Sequence, residues 1–476
     1  MYLCVLLNIQ TLCQSIYCNR DIYIKNNLRN DVNFVNFKRQ FNNVGMKLEK
    51  PPFIEINIDY LKRVWKGDFD DFLSKADEGY YYWDDLKYKK VTPFEDPVKN
   101  WTLIKSYRSS KYENIVLGKY KFNYFLSSYI SKNLHDFDSK LLGGLQKNPI
   151  LSSDRDEFLR NSLLEEAVAS SQVEGAATTT KVAREMLKSG RSPRNESEQM
   201  IFNNLRAIQY INEFLDIPID FKLIIELHKR MTANTEAEKY SGNFRTSEVY
   251  VTDHLDGEVA HIPPHWEEVE LLMQQLCDFI NDDQHFIHPI VKASMIHFLI
   301  GFIHPFIDGN GRTSRALFYW YLLKKGYVLV KNISISRVIL ESRTQYDKAF
   351  LKTEYDDNDL NYFISYSVKN IKVAFEKLVK YRDRKSEERK QANTISYELL
   401  SRGLNKRQAD LIGYLYLKDK NTITLNSYAR EHQIVRQTAS KDINELIKMG
   451  LISESKSSKP YSYFLSDSKV IENFIR

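Results

Sequence analysis

Apolar residues recur at helical spacing on both sides of one polar loop in the second half of the chain. Residues 288–303 and residues 312–324 each place large apolar side chains three and four positions apart, the period of a buried α-helix. The residues that set this period are Ile290, Ala293, Ile296, Leu299, Ile300 and Ile303 in the first span, and Ala316, Leu317, Tyr319, Trp320 and Leu323 in the second. Because Pro305 cannot continue the first helix, that helix ends by His304. The pattern predicts two buried helices joined by a short polar loop.

A β-hairpin is predicted upstream of these helices. Residues 248–251 and 259–262 are the two strands, and Asp256-Gly257 between them is a strong tight-turn signal. The open edge of such a hairpin can pair with an extended peptide without demanding a particular sequence. The residues placed there are Val249, Tyr250, Val251, Val259, Ala260 and His261. An ordinary surface hairpin is the alternative interpretation.

Three short helices and a hairpin are predicted at the end of the chain. The helices cover residues 406–417, 425–431 and 436–449, and the hairpin covers residues 452–465. This order is typical of a winged helix-turn-helix, which inserts one helix into the major groove of DNA. The groove-facing residues would then be Arg436, Gln437, Thr438, Ser440 and Lys441. Residues 402–476 hold 13 Lys and Arg against 8 Asp and Glu, a modest excess, so protein docking is the alternative to DNA binding.

Changes of sequence character divide the chain into five parts. At 476 residues it exceeds one ordinary hydrophobic core. Residues 1–45 are rich in Asn and poor in pattern, so we expect a disordered or non-native extension, with translation naturally starting at Met46. The other expected parts are a helical N-terminal module at 46–150, a helical core at 151–379, a charged helical linker at 380–402 and the winged-helix domain at 403–476.

Composition is that of an ordinary water-soluble protein. The chain is 43% hydrophobic and 27% charged, and no apolar run approaches the ~20 residues that a membrane-spanning helix needs. Three of the four cysteines lie within the first 18 residues, so no disulfide framework is predicted. We therefore expect a cytoplasmic location and no association with a membrane.

The polar loop carries groups suited to a hydroxyl and an anion. An unperturbed imidazole has a pKa of about 6.5, so His304 can take a proton from a hydroxyl at neutral pH. Gly309, Asn310 and Gly311 can adopt positive φ angles that turn successive N–H groups toward one phosphate. The helix that follows adds its dipole to the same anion site. A lone histidine at a helix end and a simple turn are the structural alternatives.

Charged residues flank this loop. Asp308 beside a phosphate would be repulsive unless a hard cation lay between them, so Mg²⁺ is inferred there. Arg312 and Arg315 lie three positions apart on one helical face and can brace the outer phosphates of a nucleotide.

The string from His304 to Arg315 resembles the signature of the Fic (Fic/Doc) family, HxFx(D/E)GNGRxxR, with no departure at any fixed position. The resemblance implies a protein adenylyltransferase that moves AMP from ATP to a Ser, Thr or Tyr hydroxyl. His304 would be the general base, Asp308 would hold Mg²⁺, and the amides of residues 309–311 would form the anion hole. Phe306 would be a core anchor.

A second motif lies upstream. Ser170 and Glu174 are four apart and share a helical face, which alone would indicate a solvated helix end stopped by Gly175. They also match the Fic pattern (S/T)xxxE(G/N), which marks an inhibitory helix, here near residues 163–175. The resemblance implies that Glu174 pairs with Arg315 and blocks productive ATP binding, as in class II, N-terminally autoinhibited Fic proteins.

The resemblance also implies the remaining roles. The hairpin would be the flap that docks the target segment, and Tyr346 would contact the nucleobase. Asp347 and Glu354 stand where some relatives have Tyr and Asn, which leaves base selectivity open. The expected fold is mainly α, with an all-helical Fic core, a β-hairpin flap, a helical N-terminal module and a C-terminal winged helix-turn-helix. The expected partners are a target protein and ATP, while DNA through residues 403–476 and a homodimer are left open.

Two other classes of function stay open. One is a DNA-binding regulator that works through the winged helix. The other is an enzyme of the same fold that transfers UMP or phosphocholine, or removes AMP; the intact signature argues against phosphorylation. Several histidines invite a zinc interpretation, but no cysteine accompanies them, so structural or flap roles are expected. They are His254, His261, His265, His285, His288 and His297.

Overall fold

A computed structural model describes residues 48–139, 152–253, 257–417, 422–455 and 461–475. These residues belong to one compact unit, residues 46–476. The predictions for residues 1–45 and for a start at Met46 lie outside the described residues, as do His254 and the turn residue Asp256.

Helices dominate the described residues and the sheets are small and antiparallel, so the prediction of a mainly α fold is confirmed. The N-terminal elements are α1 (Ile58–Trp65), α2 (Asp70–Glu78), α3 (Trp83–Leu86), α4 (Pro97–Ser109), β1 (Glu113–Leu117), β2 (Tyr120–Tyr124) and α5 (Ser128–Phe137). A buried aromatic cluster that includes Tyr82, Trp83 and Trp101 packs these helices together. β1 and β2 form an antiparallel hairpin.

The central elements enclose the main apolar core. They are α6 (Ser152–Val173), α7 (Thr180–Ser189), α8 (Glu196–Ile211), α9 (Phe221–Thr232), β3 (Val251–Thr252), β4 (Val259–His261), α10 (Val269–Asn281), α11 (Pro289–Ile303), α12 (Asn310–Lys324), α13 (Ile335–Glu341) and α14 (Arg343–Tyr355). Short 3-10 turns lie at Asn212–Phe214, Glu236–Tyr240, Trp266–Glu268 and Val328–Asn332. α11 and α12 are the two helices that the apolar pattern predicts, and nearly every residue of both is buried. They pack against each other, so the loop between them is held at both ends.

One long helix, α15 (Asn361–Ser401), joins the core to the C-terminal region. The expected linker at 380–402 is therefore the second half of a helix that begins at Asn361, because no Gly or Pro interrupts residues 361–401. Leu399, near its end, is fully buried in a separate C-terminal apolar cluster. No helix in the described ranges is both long and apolar enough to cross a membrane.

The C-terminal region follows the predicted order of elements. They are α16 (Lys406–Leu417), β5 (Ile423–Thr424), α17 (Leu425–Glu431), α18 (Arg436–Lys448), β6 (Ile452–Ser455), β7 (Ser462–Leu465) and α19 (Ser468–Ile475). The strands form one antiparallel sheet in the order β5-β7-β6. Apolar side chains of α16, α17 and α18, among them Leu411, Tyr428 and Ile443, form the cluster that holds this region together.

Candidate functional site

His304 closes α11 in a left-handed backbone conformation. Its φ is 50°, which non-glycine residues seldom adopt but which commonly ends a helix. Nδ1 of His304 donates a hydrogen bond to the carbonyl of Gly301 at 3.2 Å. This bond keeps the ring proton on Nδ1 and leaves the lone pair on Nε2. Burial, the largest influence, lowers the pKa of His304 to about 4, so the ring is neutral at pH 7 and can accept a proton through Nε2.

The loop after His304 turns directly into α12. Gly309 has a φ of 81°, whereas Asn310 and Gly311 already belong to the helix, so the expectation of positive φ holds for one residue of the three. The side chain of Asn310 bonds the backbone of Phe306 twice, accepting from its N–H at 2.9 Å and donating to its carbonyl at 2.8 Å. Asn310 can therefore serve an anion only through its backbone. The first N–H groups of this 15-residue helix have no intrahelical partner, so they are able to donate to an anion.

His228, on α9, supports the loop and was not singled out in the sequence. Its Nε2 donates to the carbonyl of Asp308 at 2.8 Å, and its ring stacks on Phe306 with 3.7 Å between centroids. Burial lowers the pKa of His228 to about 4, so the ring is neutral and can stack without the cost of a buried charge. His228 lies 80 residues before Asp308, so no local pattern could have indicated the contact.

Asp308 and Arg312 form an ion pair at the lip of the site. Oδ2 of Asp308 accepts from Nη2 of Arg312 at 2.9 Å, and the Asp308 side chain is 51% exposed. Arg312 is fully buried and also donates to the carbonyl of Met231 at 3.1 Å. These two bonds hold Arg312 against the loop and α9, whereas the sequence predicted that it braces the outer phosphates of a nucleotide.

One exposed carboxylate next to an anion site is a donor set that suits Mg²⁺. Within the described residues no group of three or more His, Cys, Asp or Glu could hold a metal alone. Mg²⁺ commonly binds through one or two carboxylates together with the phosphates of a substrate. Asp308 therefore fits a metal that arrives with a nucleotide.

Glu174 and Arg315 meet at the first turn of α12. Oε1 of Glu174 lies 3.1 Å from Nη2 of Arg315, whose Nε and Nη2 also bond Oγ and the carbonyl of Ser170 at 2.9 and 2.8 Å. A Cβ atom placed on Gly311 would clash with Oε1 of Glu174. The carboxylate therefore covers the helix start where an anion would bind. The buried Nη1 of Arg315 has no hydrogen-bond partner among the described residues, so it remains able to donate to an anion.

Arg343, on α14, is a further guanidinium near Glu174 that the sequence did not indicate. It donates to the carbonyl of Val173 at 2.5 Å and contacts both carboxylate oxygens of Asp347 at 3.0 Å. Burial alone would raise the pKa of Glu174, but the surrounding guanidinium groups, Arg315 foremost, outweigh it and lower that pKa. Glu174 is accordingly an anion at neutral pH.

Tyr346 turns its hydroxyl away from solvent. The ring is 7% exposed, and the hydroxyl donates to Nε2 of His297 at 3.0 Å. Burial lowers the pKa of His297 to about 3, so its ring is neutral and accepts this bond. His297 therefore has a structural partner in the core, and Tyr346 can offer a nucleobase only its ring.

The hairpin is shorter than predicted. β3 and β4 pair with an irregular register, and Val249 and Tyr250 precede β3. Tyr250 and Val259 are exposed, but His261 is 8% exposed and faces the core. Its Nδ1 lies 2.7 Å from a carboxylate oxygen of Glu354, and its Nε2 donates to the carbonyl of Phe302 at 2.8 Å. His261 is thus not available to a docked segment, unlike its expected role.

Three other histidines that suggested a zinc site, His265, His285 and His288, each contact carboxylates of their own. Nε2 of His265 lies 3.0 Å from Glu248, and Nε2 of His288 lies 3.2 Å from Asp138. His285 is exposed and lies 2.9 Å from Asp282.

Residues 218–322 match the model of the Fic/DOC family. They include α9, the hairpin, α11 and most of α12, so the chain contains a Fic/DOC family domain that carries His304, Asp308 and Arg315. The protein adenylyltransferase Fic of Drosophila grimshawi is 39% identical over 124 residues, which are 25% of this chain and 24% of that protein. The protein of the same name from Drosophila melanogaster gives the same identity and coverage. The chain spans about a quarter of the length of these relatives.

Solved structures of Fic proteins are also similar to this chain. A Fic family protein from Desulfovibrio desulfuricans G20 has a TM-score of 0.48 and 16% identity, covering 70% of this chain and 95% of that one. Fic-1 from C. elegans has a TM-score of 0.45 and 19% identity, covering 68% of this chain and 88% of that one. The assignment of the family rests on residues 218–322.

Proposed function

We propose that this chain is a protein adenylyltransferase, which transfers AMP from ATP to a side-chain hydroxyl of a target protein. The observation that carries the proposal is the placement of His304 beside the N-terminus of α12. At one end of a short loop lies the neutral His304 imidazole, with its lone pair on Nε2. At the other end lies the proposed anion site, with the unpartnered Nη1 of Arg315. The Drosophila relatives are named protein adenylyltransferase Fic, which supports the same activity for this chain.

In the proposed reaction the target hydroxyl oxygen attacks the α-phosphorus of ATP. A new oxygen–phosphorus bond forms while the bond from the α-phosphorus to the bridging oxygen breaks, and pyrophosphate leaves. Nε2 of His304 takes the hydroxyl proton while Nδ1 keeps its bond to Gly301. The N–H groups at the start of α12 and the Arg315 guanidinium stabilise the charge of the phosphates. Asp308 would hold Mg²⁺, which when bound neutralises phosphate charge.

The resting enzyme is proposed to be autoinhibited by Glu174, whose carboxylate lies over Gly311 and occupies Arg315. The target segment would lie along the exposed side of the hairpin, next to Tyr250 and Val259. Removal of AMP by the same site is the alternative reaction. A nucleobase contact by Tyr346, a cytoplasmic location and a homodimer stay predictions of the sequence.

The position of the transferred label tests this proposal. In the Glu174→Gly variant, ATP labelled on the α-phosphate should label protein, and ATP labelled on the γ-phosphate should not, because pyrophosphate carries that phosphate away. Parallel reactions with α-labelled GTP, CTP and UTP, read by gel and intact mass, would define base selectivity. Transfer of the γ-label would contradict the proposal in favour of phosphorylation, and transfer from UTP alone would replace AMP with UMP.

The surface of α18 favours DNA binding as a second candidate function. Arg436, Gln437, Lys441, Asn444 and Lys448 are exposed on this helix. Its carboxylates face inward: Asp442 is buried against Arg407 at 2.8 Å, and Glu445 accepts from Gln408 at 2.8 Å. The outward face therefore carries cations and amides, which suit phosphates and base edges. We propose that α16 to β7 form a winged helix that presents this face to a major groove.

Lys441→Ala is expected to weaken binding to duplex DNA and to lower the slope of log K against log salt by about 1. The reason is that one phosphate contact, and the counterion that it displaces, would be lost. Fluorescence anisotropy over a salt series measures both quantities. Lys369→Ala removes an exposed lysine on α15 and is the matched control. Equal slopes for the two variants, or binding that salt does not weaken, would favour protein docking.

A further inference from the structure

The C-terminal end of α11 leaves backbone carbonyls without a partner in the helix. Because α11 ends at Ile303, the carbonyls of residues 301–304 have no hydrogen-bond donor within the helix. The N–H group four residues later, which donates to each carbonyl inside a helix, lies beyond its end. For Gly301 this is unavoidable, because Pro305 has no N–H at all. These carbonyls surround the backbone turn that carries His304.

Three side chains satisfy all four carbonyls. His304 itself donates from Nδ1 to Gly301, and His261 donates from Nε2 to Phe302 at 2.8 Å. Arg245 takes the other two, donating from Nη2 to Ile303 at 3.4 Å and from Nε to His304 at 2.8 Å. Arg245 precedes β3 and His261 ends β4, so both capping side chains come from the hairpin region.

Arg245 ties both ends of the hairpin to this turn. Its side chain is fully buried, and it also donates to the carbonyls of Ser247, before β3, and Pro264, after β4. Its backbone N–H donates to the carbonyl of Pro305 at 2.9 Å. Burial lowers the pKa of Arg245, and the nearby carboxylate of Glu248 is 3.9 Å away. A fully buried cation costs stability even with a carboxylate at this distance, and the carbonyls that Arg245 holds lie around the turn that carries His304.

His261 uses both ring nitrogens. The Phe302 carbonyl can only accept, so Nε2 carries a proton, and the Glu354 carboxylate at 2.7 Å favours a second proton on Nδ1. Burial alone would lower the pKa of His261, but Glu354 and the Phe302 carbonyl outweigh it and raise that pKa. The hairpin is therefore fastened to α11 by His261 as well as by Arg245, and Glu354 of α14 holds His261 in place.

We propose that Arg245 and His261 are positioning residues, which cap α11 and thereby aim the His304 imidazole at the hydroxyl of a docked target. This inference rests on the proposed transfer reaction. The hairpin then does two things at once: its exposed face receives the target, and its buried side chains hold the base.

The test compares Arg245→Lys with Lys292→Gln, both in the Glu174→Gly background. Arg245→Lys keeps a cation but loses the planar fork, so the transfer kcat should fall about 100-fold while the Kd of ATP stays within about twofold. Lys292 is the matched control because it is also buried and donates to a carbonyl, that of Asp282, at the other end of α11, about 18 Å from His304. Its replacement should leave kcat unchanged.

Should Arg245→Lys fail to fold in a thermal melt, Glu354→Gln tests the other fastening, with an expected fall in kcat of about 10-fold. Unchanged kcat in the folded variant, or an equal loss of kcat in Lys292→Gln, would overturn the proposal.

The histidine signals give a readout that needs no transferase activity. In ¹⁵N NMR, with His304→Ala used for assignment, His304 should be protonated on Nδ1 in the parent and become a tautomer mixture in the Arg245 variant.

The groups facing His304 are the Gly301 carbonyl, His261, Glu174 and Arg245. Because burial and then the His261 and Arg245 charges lower the pKa of His304 to about 4, neutralising His261 through Glu354→Gln should raise it. If no variant transfers label, the proposed function fails, and the ¹⁵N spectrum of His304 alone tests whether Arg245 and His261 position the ring. A spectrum that is unchanged in the Arg245 variant would reject that positioning role.

Discussion

His304→Ala is expected to lower the rate of AMP transfer by about 1,000-fold, while the affinity for ATP stays within about twofold. The large effect follows because Nε2 of His304 is the proposed acceptor of the hydroxyl proton, and its tautomer is already set by the bond to Gly301. ATP affinity is spared because the anion site consists of the start of α12 and Arg315, neither of which the substitution removes.

Initial rates of α-label transfer and calorimetric titration with a non-hydrolysable ATP analogue, both in the Glu174→Gly background, measure these two quantities. His285→Ala is a suitable control because His285 is exposed on the surface and its ring pairs with Asp282. Transfer by His304→Ala at more than about one tenth of the parent rate would contradict the assignment of the base.

Glu174→Gly is expected to raise the transfer rate by about 10- to 100-fold at saturating ATP and Mg²⁺. Two changes combine: the carboxylate no longer covers Gly311, and Arg315 is released to the outer phosphates. In the wild type the pKa of Glu174 is lowered, so its carboxylate becomes protonated only when the pH falls below the ordinary range of a glutamate. The Glu174–Arg315 pair therefore stabilises the folded state at pH values above the pKa that Glu174 has in the unfolded chain. This stabilisation is lost only as the pH falls through the lowered pKa of Glu174 in the folded state. Mild acidification to pH 6 should accordingly not activate the wild type.

Steady-state rates of wild type, Glu174→Gly and Glu165→Gln at pH 6 and pH 8 test this expectation. Glu165 is on the same helix but pairs with Arg337 and Arg184, so Glu165→Gln controls for a general loosening of α6. Equal rates for Glu174→Gly and wild type at saturating ATP and Mg²⁺ would remove the case for autoinhibition.

The contacts of α6 differ between the middle of the helix and its last turn. Buried Glu166 accepts from the Tyr319 hydroxyl at 2.7 Å and from the backbone N–H of Ser336 at 3.0 Å, so the middle of the helix is tied to α12 and α13. The last turn is held by Arg315 and Arg343, and Oγ of Ser171 also bonds the carbonyl of Met200 at 3.4 Å and the amide of Asn204 at 3.5 Å. If Glu174 is released as proposed, we therefore expect the contacts of Glu166 to persist and those of the last turn to change.

The sequence by itself determined the local features of this protein. The spans of α11 and α12, the break at Pro305 and the tight turn at Gly309 all follow from residues within a few positions of each other. Apolar periodicity and restricted φ angles act over such short distances, which is why they can be read directly. The candidate base, the anion site and the pair of Glu174 with Arg315 were named in this way or through the resemblance to the Fic family.

Only the tertiary structure decided how these features are supported. His228, Arg245 and Arg343 reach partners 80, 59 and 170 residues away, and His261, expected on the docking face, turns inward to Phe302 and Glu354. The physical reason is that a buried polar group must find a hydrogen-bond partner wherever packing places one. Helix ends leave such partners at points that depend on the whole fold, so local patterns cannot predict which side chain will reach them.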